Sequence, residues 1–120
     1  MRQPFAHEAT LGMDADADVN AIGAAVTQAV CGHWEHEPPC PLAPHHSQVP
    51  RLEDGAVYLR VLFATEPDME GEVRRRITAA LLHGKPHGTG GSHVTWRLRS
   101  SHASSVTDGE TDHAQRLVRS

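Results

Sequence analysis

The sequence predicts an α+β domain of the ferredoxin-like type, a split β-α-β-β-α-β chain whose two helices cover one face of an antiparallel sheet. Three observations predict it. Two apolar stripes recur at helical spacing, near residues 19–30 and 69–81. Runs of period two precede, separate and follow them. A Pro-rich segment with room for one short edge strand fills the remaining place in the order. At 120 residues the chain has the size of one domain.

The first strand is read from Phe5, His7, Ala9, Leu11 and Met13, which alternate with Ala6, Glu8, Thr10 and Gly12. Asp14, Asp16 and Asp18 then offer N-caps and favourable negative charge for a helix start. Val19, Ile22, Val26 and Val30 follow at spacings of 3, 4 and 4, and Gly32 stands where a C-terminal cap would. A first helix is expected over about 16–31. From 32 to 55 the chain carries Pro38, Pro39, Pro41, Pro44 and Pro50, which remove backbone donors and forbid a helix.

Ala56 to Thr65 reads as a strand, with Val57, Leu59, Val61 and Phe63 facing one way and Tyr58, Arg60, Leu62 and Ala64 the other. A second helix is expected over about 67–83. Thr65 or Glu66 caps it, Pro67 suits its first position, and Asp68, Glu70 and Glu72 load its start with negative charge. Met69, Val73, Ile77, Ala80 and Leu81 make its apolar stripe, and Gly84 with Lys85-Pro86 stops it. A last strand runs from His93 to Ser100, placing Val94, Trp96 and Leu98 opposite His93, Thr95, Arg97 and Arg99. Val61, Phe63, Val73, Ile77, Val94 and Trp96 should share one core. The domain therefore spans 1–101. Residues 102–120 are read as linker and tail, with a short helix capped by Asp108 and carrying Ala114, Leu117 and Val118.

Composition narrows the function. Hydrophobic residues at 38% and charged residues at 22% describe a globular chain. The net charge of −4 argues against a nucleic-acid partner, because such binding rests on neutralised phosphates. No apolar run nears the ~20 residues that span a bilayer, and the first residues hold no apolar leader, so a cytoplasmic location without membrane contact is expected.

One segment stands apart. Between Cys31 and His46 lie both cysteines and four of the ten histidines: Cys31, His33, His36, Cys40, His45 and His46. Thiolate and imidazole suit zinc and similar borderline ions, and the prolines lower the entropy lost on closing a chelate. A set such as Cys31, His36, Cys40 and His45 is expected to hold zinc structurally, although the spacing matches no standard zinc pattern.

Catalytic readings of the same residues fail. His33-Trp34-Glu35 with Pro39-Cys40 resembles half of a zinc-deaminase signature, but Ala43 stands at the second cysteine position. His33-Trp34-Glu35-His36 lacks the i, i+4 histidine pair of a metalloprotease helix. Cys31 ends a helix, where the dipole disfavours a thiolate nucleophile. The glycines at 88, 90 and 91 precede a strand and lack a phosphate-loop lysine.

The sequence therefore predicts a non-catalytic, metal-binding domain. The alternative is a metal-free module that dimerises or binds a protein through its open sheet face, where Arg60, Arg97 and Arg99 gather. Against that alternative, Glu8 of the first strand should lie between those arginines and pair with them. Glu70 with Arg74 and Glu72 with Arg76 should form i, i+4 pairs on a solvated helix face.

Overall fold

The computed structural model describes residues 2–14, 17–31, 44–52, 55–83 and 95–119. Among these residues the fold is α+β, with a four-stranded antiparallel sheet and three α-helices. The elements are β1 (Gln3–Met13), α1 (Asn20–Cys31), β2 (His45–Gln48), β3 (Val57–Thr65), α2 (Glu70–His83), β4 (Trp96–Ser104) and α3 (Thr111–Val118). The sheet order is β2-β3-β1-β4, so β1 lies between β3 and β4 and pairs with both along most of its length.

The two apolar stripes close one core. Ile22, Val26 and Val30 of α1 and Val73, Ile77 and Leu81 of α2 meet Ala9, Leu11, Val57, Leu59, Val61 and Phe63 of the sheet. Trp96 joins them, and its indole N–H is satisfied by the carbonyl of Leu81 at 2.9 Å. Val94, expected in this core, lies outside the described residues.

Several boundaries differ from expectation for local reasons. α1 starts at Asn20 because Asp18 takes the first amides: its carboxylate accepts from Asn20 and its carbonyl from Ala21. The first turn of the second helix, Pro67–Met69, is a 3₁₀ turn, where Pro67 tolerates the missing donor. The linker expected from His102 is strand as far as Ser104. The reason is a bulge: Thr10 pairs with Ser100 but Leu11 with Leu98, leaving Arg99 as the extra residue. Plain alternation would turn Ser101 away from the helices. The bulge turns it toward them, where it bonds His7 and Thr78.

The tail forms a third layer. α3 packs on β1 and β3 from the side opposite α1 and α2, burying Ala114. Thr107 and Glu110 cap its approach with a reciprocal capping box. Arg60 anchors it: Nε and Nη2 donate to the two oxygens of Glu110 at 2.8 and 2.7 Å, and Nη2 also reaches the Ser105 carbonyl. Arg60→Ala should free α3, lowering stability by about 2 kcal/mol and speeding amide exchange at residues 111–118 while leaving α2 protected. Unchanged exchange in α3 would show that apolar packing alone holds the tail.

Candidate functional site

The predicted metal ligands fall in two groups. Cys31 is the last residue of α1, and His45 and His46 open β2. His33, His36 and Cys40 lie outside the described residues. β2 is an edge strand, and successive residues point to opposite faces, so His45 and His46 part. His45 turns to the helix side, where its Nε2 lies 3.2 Å from Thr27 Oγ1 on α1. His46 turns to the other side and packs against His113 of α3, ring centroids 4.5 Å apart. One ion can therefore take one of these two imidazoles, and His45 is the one beside the helix that ends in Cys31.

Ser47 Oγ, on the His45 side of β2, and Gln28 Oε1 on α1 are buried oxygens without a hydrogen bond in the structure. Among the described residues no group of three or more His, Cys, Asp or Glu side chains converges as a metal site.

The arginines behave differently from one another. Arg60 lies beside Glu8 at 3.4 Å, as the expected strand order implied, and is further tied to Glu110 and Ser104. Hydrogen bonds from Tyr58 and His102 then hold the Glu8 carboxyl below its usual range, with Arg60 adding to the effect. The face expected to be open is thus covered over Arg60 by α3. Arg97 and Arg99 remain exposed, with no acidic partner among the described residues.

On α2, Arg74 pairs with Glu70 and Arg76 with Glu72, at 2.8 and 3.0 Å. Arg76 and Arg75 do form a solvated face. Arg74 does not: its guanidinium stacks over Phe5 and Phe63, donates to the Ala6 carbonyl at 2.6 Å and reaches His7 Nδ1 at 3.1 Å.

His7 is 3% exposed, on the face of β1 that also carries the core residues Ala9 and Leu11. Its neighbours fix its chemistry. A guanidinium cannot accept, so Nδ1 must be the acceptor toward Arg74 and Nε2 must carry the proton. Nε2 then donates to Ser101 Oγ at 2.8 Å, and a second hydroxyl–hydroxyl hydrogen bond of 2.8 Å joins Ser101 Oγ to Thr78 Oγ1. A serine that receives a proton from histidine is not activated by it, so the pair lacks the arrangement of a nucleophile and its base. Burial first, then the Arg74 charge, pushes the His7 pKa down to about 4.

Comparison with known protein families, curated proteins and solved structures finds no match. Function must therefore be argued from the residues. Among the described residues, no helix is long and apolar enough to cross a membrane.

Proposed function

We propose that this chain is a small, non-catalytic domain of the ferredoxin-like split β-α-β-β-α-β type, extended by α3, that binds zinc structurally through its Cys/His segment. Cys31, His36, Cys40 and His45 are the proposed ligands, with His33 as a substitute imidazole. Thiolate ligation implies a reducing compartment such as the cytoplasm.

One observation carries the reading: the contact between Thr27 on α1 and His45 on β2. Four residues, one helical turn, separate Thr27 from Cys31. The segment from Cys31 to His45 therefore leaves and returns at the same edge of the fold, so both ends of the chelate loop are held before any ion binds. Preorganisation of this kind lowers the entropy cost of ligation. The buried, unpartnered Ser47 oxygen, on the same face of β2 as His45, adds a polar atom of the sort that bound water or an ion's outer shell would satisfy. The competing reading, a partner docked across the whole sheet face, is disfavoured by α3 over Arg60.

The protein without an affinity tag should hold about one equivalent of zinc through mild dialysis, measured by elemental analysis. Binding should weaken as pH falls, because protons compete for the thiolates and then the imidazoles. Cys31→Ser with Cys40→Ser should abolish binding and increase amide exchange around residues 45–48, leaving α2 protected. Metal-free parent protein with the same exchange pattern as the double variant would sink the proposal.

A further inference from the structure

A pocket of about 410 Å³ opens at the β1–β4 end of the sheet, opposite the β2 edge, and Arg97, Arg99, Gly12, Asp14 and Thr95 line it. We infer that it binds a small phosphate monoester that carries hydroxyl groups, with the phosphate held between Arg97 and Arg99.

The backbone brings the two cations to this place. Arg97 pairs with Gly12 in the ladder and points to the face away from α1 and α2. Arg99 is the bulged residue, and the Nε and Nη2 edge of its guanidinium lies against Gly12. The close approach depends on glycine: a Cβ there would stand 3.2 Å from both Nε and Nη2 of Arg99. Bulges re-aim side chains in this way and recur beside functional sites. A bulge, a glycine floor and two guanidiniums converge on one concavity.

Among the described residues their charge is unspent: Arg51, Arg60, Arg74, Arg75 and Arg76 each donate to an acceptor, whereas Arg97 and Arg99 show no ion pair or hydrogen bond there. Forked guanidiniums match the oxygens of a phosphate better than a single point charge does.

The surroundings choose among anions. Glu8 lies further along the same face of β1, and Asp14 also lines the pocket, so among the described residues the two arginines are flanked by carboxylates. An extended polyanion such as a nucleic acid would run onto these carboxylates. A compact ligand would not. The volume exceeds that of a bare phosphate ion and falls within the range of small-molecule sites. Asp14 and the Thr95 hydroxyl can accept hydrogen bonds from sugar or polyol hydroxyls. Asp14 would repel an anion lacking them.

The test is a titration of the full chain followed by amide NMR, with ribose 5-phosphate, inorganic phosphate and a six-nucleotide single-stranded DNA as probes. Ribose 5-phosphate should give saturable shifts confined to Gly12, Asp14 and 95–99, and bind at least threefold tighter than inorganic phosphate. Arg97→Gln with Arg99→Gln should weaken it tenfold or more, and Arg75→Gln, on the helix layer, should change nothing. Asp14→Asn should erase the preference over inorganic phosphate. Gly12→Ala should weaken binding severalfold by displacing Arg99. All but the last change exposed side chains, so loss of fold would not mimic the result. Three outcomes overturn the inference: shifts that match those caused by sodium chloride, undiminished binding in the double arginine variant, or DNA binding tighter than ribose 5-phosphate.

Discussion

Val73→Asp should destabilise the protein by about 4–7 kcal/mol at 25 °C, as read by urea denaturation followed by circular dichroism. Val73 is fully buried between α2 and the sheet, in the cluster that contains Ile77, Leu81, Val61 and Phe63. An aspartate there would be an unpaired charge in apolar surroundings, a change that costs about 3–5 kcal/mol. Loss of the valine's apolar burial adds about 1–2 kcal/mol. Domains of this size are stable by about 5–15 kcal/mol, so the change consumes much of the total. Leu82 is the control on the same helix. It is 68% exposed, one residue past the buried Leu81, and Leu82→Asp should shift stability by less than about 0.5 kcal/mol. Equal behaviour of the two variants would mean that the helix does not present the stripe inferred for it.

That contrast shows which parts of the fold were legible in the chain. Periodicity is a local signal, so the stripe of α2 and the alternation of β3 could be read residue by residue, and both bury the side chains expected to be buried except Met69, which falls in the 3₁₀ turn and is half-buried. β1 was readable from a weaker alternation. Its Ala9 and Leu11 face the main core, while Ala6 faces α3, so both sides carry apolar residues. The end of β4 was not readable, because the bulge at Arg99 is set by pairing with β1, nearly 90 residues away. Ser101 to Ser104 carry the polar composition of a linker and become strand because β1 supplies their partners.

Chemistry followed the same division. The Glu70–Arg74 pair was visible as an i, i+4 spacing. The contacts of Arg74 with Phe5, Ala6 and His7 required the topology. Glu8 beside Arg60 followed once the strand order was assumed, whereas Glu110 on Arg60 depended on how the tail returns. The split of His45 from His46 follows from strand geometry alone. It could be read as soon as that segment was recognised as β2 rather than as irregular loop.

Acidification should destabilise the fold through His7, with the loss concentrated between pH 6.5 and 4. The imidazole is buried and neutral, held as the Nε2–H form by Arg74 on one nitrogen and Ser101 on the other. Protonating Nδ1 would aim a second N–H at a guanidinium. The charged groups around it are Arg74 on α2, Glu8 beside it on β1 and His102 on β4, and two of these three oppose a positive imidazole. The folded pKa of about 4 lies below the ordinary 6.5, so the unfolded chain binds the extra proton throughout that window. Stability is then fully present above pH 6.5 and is lost as pH falls toward 4, below which this group contributes no further slope. At about 1.4 kcal/mol per pKa unit the loss approaches roughly 3 kcal/mol. His113, whose pKa burial and then His46 also lower, acts in the same direction, so the parent's slope alone does not isolate His7. Urea midpoints of the parent and of His7→Gln, taken from pH 7 to pH 4, separate them. Gln accepts from Arg74 and donates to Ser101 without titrating, so its profile should be flatter by most of that amount. Parallel profiles would mean that the buried imidazole already carries its proton in the folded chain. The direction of the Arg74–His7–Ser101–Thr78 hydrogen bonds would then have to be redrawn.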